Sequence, residues 1–298
     1  MGPNKPQYCS PGVRTKQSCY SKEMLRLIAR TYNDTHEDKI DVTGTKPQLL
    51  RTLRSKLGTR CGKEESCWLE LPFVQKSESY QKLESAFRPR KPESWNDNEN
   101  EWLNTYDILN VMKQYEAGDK RFKFVGVFPI DFMSKNASTG SCVVQEMCQL
   151  DLGSLWKRKI TKVGVIFNTD TSKGSGEHWI GLYIGLDPKR KNFGTFFYDS
   201  VAMRPPKEVV AFMKLMDKDL KALHPRYADK VAMRSNKVRR QFKSTECGVF
   251  SMLFVVSMLR YPFDAVCESM GKDDDVHAFR DVFYRPNDVG GGTSNKRK

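Results

Sequence analysis

A chain of 298 residues with 50 Lys and Arg against 36 Asp and Glu carries a formal charge of +14, and its composition is 39% hydrophobic and 29% charged. That is enough chain for one full-sized domain plus a smaller accessory region, and no run approaches the roughly 18 apolar residues of a membrane span, which excludes membrane insertion. The positive balance favours acidic partners, nucleic acid among them, although the cations are scattered along the whole length rather than gathered in one groove.

The opening MGPNKPQYCSPG lacks the apolar core of a secretion signal, so a cytosolic or nuclear setting with reduced thiols is expected. Residues 21–33, SKEMLRLIARTYN, place Met24, Leu27, Ile28 and Tyr32 on one helical stripe. In TKPQLLRTLRSKLG, Thr45 and Gln48 match a capping box, and Leu49, Leu50, Leu53 and Leu57 form an apolar face that Gly58 is expected to end. Residues 74–100 are rich in Ser, Lys, Glu, Asn and Pro and read as a linker or long surface segment, with a boundary near residue 90. The expected organisation is therefore a helical N-terminal accessory region over 1–90, a main domain over 91–286, and a disordered basic tail over 287–298.

In the main domain, EWLNTYDILNVMKQYE is helical, with Trp102, Ile108, Leu109, Met112 and Tyr115 as packing candidates. VGVIFNTD, WIGLYIGLD and GTFFYDS are short β-branched and aromatic runs bounded by Gly and Asp, the pattern of neighbouring strands, and KVAMRSN adds another. Between them, PPKEVVAFMKLMDKDLKALH carries Val209, Phe212, Met213, Met216, Leu220 and Leu223 at helical spacing and should cover one sheet face. GVFSMLFVVSML is apolar on all sides, as a helix buried within the domain would be.

Cys247 stands at the start of that buried helix, where unpaired N–H groups and the helix dipole favour negative charge and a thiol ionises more readily. Taken alone it reads rather as a small core residue, since free cysteine is commonly buried. Three other residues give it company. His178 closes the polar loop TSKGSGE just before a strand and is placed to act as a base. Asp199 ends the next strand, where its carboxylate can orient the imidazole. Gln241, six residues before Cys247, can share an oxyanion site with the Cys247 N–H. Gly248 removes a side chain beside the sulfur.

Of the eight cysteines none forms a CxxC, and the pairs Cys61/Cys67 and Cys142/Cys148 are spaced too widely for zinc knuckles, so no metal is expected. His277 in DDDVHAFRDVFYRP offers a single ligand, and its three aspartates suit a helix N-terminus better than a cation. VGGGT near the C-terminus reads as a flexible linker, or as a site the chain could itself cut.

GEHW, YDS and QFKSTECG in this order resemble the HW, D and Q-x5-C-G signature of the adenovirus protease and Ulp1-like cysteine proteases. FNTDTSKGSGEHW, STECG and CYSKEML are most similar to the branch that processes polyproteins in large DNA viruses. One viral member of that branch has asparagine as the third triad residue, where this chain has Asp199. The resemblance covers residues 95–285 well and the N-terminal helices weakly. It implies an α+β, permuted papain-like fold and a catalytic set of His178, Asp199, Cys247 and Gln241. It further implies a narrow substrate channel lined by Trp179, with Trp102 and Tyr106 on its border, and cleavage after Gly-Gly or similar small-residue sites. The implied substrate is a viral structural or core polyprotein, cut in the host cytoplasm and virion without a cofactor, with DNA as a possible stimulant. Alternatives are an isopeptidase for SUMO- or ubiquitin-like modifiers ending in Gly-Gly, a basic DNA-associated virion protein without activity, and an acyltransferase.

Overall fold

The computed structural model describes residues 8–13, 17–136 and 139–287. The chain divides into two compact units, one comprising the chain up to Glu93 together with the segment from Phe283, the other Ser94–Val282. Among the described residues no helix is long and apolar enough to cross a membrane.

In the first unit, the helix Lys22–Thr35 is capped by Ser21, whose hydroxyl accepts from the Met24 N–H at 3.1 Å. It buries Leu25, Ile28, Ala29 and Tyr32, while Met24 and Leu27 flank the core, so the inward face is turned slightly from the expected stripe. The helix Lys46–Cys61 opens with the Thr45 N–H donating to Gln48 Oε1 at 2.8 Å. Gly58 does not stop it. The helix runs on to Gly62, whose φ of 56° makes the left-handed exit that a helical glycine at 58 does not.

Residues 74–100 are not a plain linker. Val74 and Leu83, on short helices at Pro72–Gln75 and Tyr80–Glu84, and Ala86 and Phe87 just beyond the second are buried in the first core, and Tyr20 packs against both Trp68 and Phe87. The segment ending this unit pairs Arg90 with Arg285, through Arg285 N–H to Pro89 O at 2.8 Å and Lys91 N–H to Arg285 O at 2.9 Å. The expected tail lies, from residue 288 on, outside the described residues, as does VGGGT.

Reduced thiols were the expectation, and the structure corrects it. Cys9–Cys19, Cys61–Cys67 and Cys142–Cys148 are disulfides with Cα separations of 5.1, 5.5 and 6.5 Å, leaving Cys247 and Cys267 free. A five-residue gap is wrong for a zinc knuckle, yet a turn within it brings two Cα atoms into the roughly 4.4–6.8 Å that a disulfide spans.

The second unit is built on a mixed five-stranded sheet in the order β1 (Phe122–Pro129), β2 (Lys162–Asn168), β3 (Trp179–Gly185), β4 (Gly194–Tyr198), β5 (Ala232–Ser235). The outer pairs are parallel and the central ones antiparallel. β1 has no counterpart among the expected elements, because a bulge between Phe124 and Gly126 breaks its alternation. The helix Lys207–Leu223 sends Val209, Phe212, Met213, Met216 and Leu220 into a core shared with Val163, Val165, Phe167, Leu182 and Phe197.

The opposite face carries the helix Cys247–Met258. Close approach there depends on two strand glycines. A Cβ at Gly164 would stand 2.6 Å from Val255 Cγ1, and one at Gly181 would stand 2.9 Å from Phe254 Cδ1. Burial of nearly the whole helix surface follows, including Val249, Phe250, Met252, Phe254 and Val255. Gly164→Ala is expected to destabilise the protein by about 1–3 kcal/mol through overpacking, read as a lower denaturation midpoint. An unchanged midpoint would show that this contact is loose.

Candidate active site

β3 and β4 are antiparallel neighbours, with Gly181 opposite Tyr198, so the residues just before β3 and just after β4 meet at one sheet end. His178 precedes β3 and Asp199 follows β4. The loop ahead of His178 is tied down by two side chains: Asn168 Oδ1 accepts from the Asp170 and Glu177 N–H groups at 2.9 and 3.0 Å, and Asp170 Oδ2 accepts from Gly176 N–H at 3.0 Å. The backbone closes it with Thr169 N–H to His178 O at 2.8 Å.

The imidazole Nε2 lies 2.7 Å from Asp199 Oδ1, and Cys247 is near enough to act on the ring electrostatically. With Nε2 occupied by the carboxylate, Nδ1 is the nitrogen left for the sulfur. Burial lowers the imidazole pKa, but the hydrogen bond to Asp199 and the interaction with Cys247 outweigh it and raise it from 6.5 to about 9. His178 therefore stays protonated at neutral pH.

Asp199 is held by backbone on both sides. Its carboxylate accepts from Val201 N–H at 3.0 Å and Met203 N–H at 3.1 Å. Asn236 clamps its peptide group, accepting from Asp199 N–H at 2.9 Å and donating to Asp199 O at 2.7 Å. Nothing in the sequence pattern marks Asn236. It follows β5 directly, and only the parallel pairing of β4 with β5 brings it across.

Cys247 is 2% exposed and is the first residue of its helix. Glu246 before it is equally buried and receives Arg280 Nε at 3.0 Å, with His277 Nδ1 3.1 Å away. Arg280 also donates to Glu101 O at 2.8 Å and lies over the Trp95 ring. This buried ion pair fixes the chain where it enters the helix. His277 thus faces a carboxylate, and among the described residues no group of three or more His, Cys, Asp or Glu side chains could hold a metal.

Gln241 is buried with its amide oriented at both ends: Oε1 accepts from the Ser200 hydroxyl at 2.5 Å, and Nε2 donates to Lys243 O at 2.8 Å. One amide hydrogen is left for another acceptor. The loop carrying it is anchored by Ser200 O, which accepts from the Arg240 and Gln241 N–H groups, and by Asp273, whose carboxylate takes Phe242 N–H at 2.8 Å and Lys243 N–H at 3.0 Å. So the first aspartate of DDDVH does more than face a helix N-terminus.

The Trp179 indole is pinned by donation from Nε1 to Leu103 O at 2.9 Å. A Cβ at Gly248 would lie 3.0 Å from Leu103 Cδ1 and 3.2 Å from Trp179 Cδ1, so the room left by that glycine is filled by these two side chains. Trp102 and Tyr106 stand 48% and 73% exposed. Trp102 is not a packing residue as the helical spacing suggested, because the helix begins only at Thr105 behind an Asn104 cap, and the inward-facing residue is Leu103.

A base held by a carboxylate, a thiol at a helix N-terminus and an amide fixed in the same loop that leads to it are the groups needed for acyl transfer through sulfur. Comparison with known proteins agrees. The C-terminal catalytic domain of the Ulp1 protease family matches residues 138–288. A protein of Acanthamoeba polyphaga mimivirus, named as a thiol protease, is 26% identical over 302 residues, covering 93% of both chains. A protein of African swine fever virus, named a cysteine protease in some isolates and a SUMO-1 cysteine protease in others, is 22% identical over 295 residues, with 95% of this chain and 96% of the relative covered. The crystal structure of the African swine fever virus protease superposes with a TM-score of 0.69 at 18% identity over 94% of this chain and 96% of that one, a likeness of fold.

Because the His178 pKa is raised, its protonated form contributes stability that is complete below about pH 6.5 and is lost as pH rises through about 9. An NMR titration of the ring should show a midpoint near 9 in the native protein and a lower one in Asp199→Ala. A midpoint that does not move would contradict the role given to the carboxylate.

Proposed function

The chain belongs to the Ulp1 protease family and is a cysteine protease, and from that premise we propose that it is an endopeptidase cutting after Gly-Gly or similar small-residue sites in viral structural polyproteins. The observation that carries this specificity is the fixed Trp179 indole. Locked to Leu103 O and packed beside Gly248, next to the residue that bears the sulfur, it narrows the approach to residues without bulky side chains. The viral origin of both relatives supports a virion-maturing role in the host cytoplasm and the assembling particle. The charge of +14 supports nucleic acid as an additional partner.

In this reading the Cys247 thiolate attacks the scissile carbonyl carbon while His178 stands as the imidazolium. The oxyanion takes hydrogen bonds from Gln241 Nε2 and the Cys247 N–H. Collapse breaks the C–N bond, and His178 gives its proton to the leaving amine. Water then attacks the thioester, with His178 accepting its proton, and the sulfur departs as thiolate. Asp199 keeps the ring oriented throughout.

The second reading is an isopeptidase for modifiers ending in Gly-Gly, favoured by the SUMO-1 protease name that some relatives carry. Offering a Gly-Gly-X peptide and a modifier-linked protein side by side decides between them: preferential cleavage of the peptide supports the endopeptidase, preferential deconjugation the alternative. Cys247→Ala should abolish turnover with folding intact. Gln241→Ala should cost on the order of 10²-fold in kcat; an unchanged rate would place the oxyanion site elsewhere.

A further inference from the structure

A cavity of about 370 Å³ lies at the other end of the helix that Cys247 begins, bounded by its last residues and by the β3–β4 turn. Six cations line it: Arg121, Lys162, Lys189, Arg190, Lys191 and Arg260, with Asp187 as the one acid among the lining residues. Lys162 is committed, donating to Asp119 and to Leu259 O at 2.8 Å each, which neutralises the negative end of the helix. Arg190 lies 3.7 Å from Asp187 and Arg121 3.9 Å from Asp119, both loose pairs. Lys189, Lys191 and Arg260 have no acidic partner among the described residues. Helix capping therefore accounts for one cation and leaves an excess of charge.

The cavity wall supplies a second observation. Tyr183, 3% exposed, lines it among the cations. Burial raises the phenol pKa, so the group is a donor at any physiological pH. The turn is firm, because Asn192 donates to Tyr261 O at 2.8 Å and accepts from Phe263 N–H at 3.0 Å. Cations without acidic partners around a concavity walled by a tyrosine match an anion with several acceptor oxygens.

We propose that this cavity binds a compact phosphate-rich anion, of the polyphosphate class, at a site separate from the catalytic one. The helix between them is twelve residues long, which places the two about 18 Å apart along its axis. Concavity favours a compact ligand over a nucleic-acid strand, since backbone phosphates on a stiff duplex reach the exposed turn but not the buried Tyr183 in the wall.

Calorimetric titration of the intact protein with inorganic tripolyphosphate at low salt tests this. Saturable binding of one anion per chain is expected, weakened at least roughly tenfold in the Lys191→Ala, Arg260→Ala double variant. Tyr183→Phe, which keeps the ring in place, should weaken it several-fold. A control with the same charge loss, Lys214→Ala with Lys218→Ala on the helix Lys207–Leu223, should bind as the native protein does. Equal weakening in the control, non-saturating binding, or no binding would overturn the proposal. So would a short DNA duplex that binds more tightly than tripolyphosphate and loses that advantage in the pocket variants. Melting curves of each variant establish that all are folded.

Discussion

The contact between the helix Cys247–Met258 and the paired strands β2 and β3 decides where everything else in the second unit can go. An all-apolar helix must be enclosed, and here the sheet encloses it at short range because Gly164 and Gly181 offer backbone where other residues would offer Cβ atoms. Tyr198 stacks on Phe254 at 5.0 Å and completes the seam. The sulfur is thereby delivered to the sheet end at which β3 starts and β4 stops. Once helix and sheet are locked in this register, a histidine before one strand and an aspartate after the next need no further instruction to meet it.

Electrostatics then holds the arrangement in its charged form. Removing a histidine from water favours neutrality, but Asp199 and Cys247 reverse that preference at His178. Asp199 can serve only if it stays still, and Val201, Met203 and Asn236 make four hydrogen bonds to it. On the other flank, Glu246 and Arg280 place a buried ion pair immediately before the sulfur-bearing residue. Replacing either partner alone would strand a buried charge.

The residues of the candidate catalytic set were legible in the sequence as a constellation, because strand ends and the start of an apolar helix are visible as changes of periodicity, and HW, YDS and Q-x5-C-G fall on those changes. Their supports were not legible. Ser200, Asn236 and Asp273 act on Gln241, Asp199 and the Phe242–Lys243 backbone from 30 or more residues away, and such contacts leave no local pattern. Distribution of apolar residues misled in the opposite sense at 74–100, where Val74, Leu83, Ala86 and Phe87 are too sparse among Ser, Lys and Glu to signal a core. Glycine at 58 looks like a stop in the sequence because the φ angle that makes the difference, found at Gly62, is a property of structure. The disulfides escaped for a similar reason: a spacing that excludes zinc says nothing about whether a turn brings two sulfurs together.

Two thiols are free in this protein, and their surroundings differ, since burial and neighbouring Asp264 push Cys267 up to about 11 while Cys247 sits against an imidazolium. Alkylation by iodoacetamide near neutral pH, followed by mass spectrometry of each cysteine peptide, compares them in one experiment. The account predicts that Cys247 is modified well ahead of Cys267, and that His178→Ala slows the first while leaving the second unchanged. Equal rates at the two sulfurs, or a Cys247 rate indifferent to His178, would contradict it.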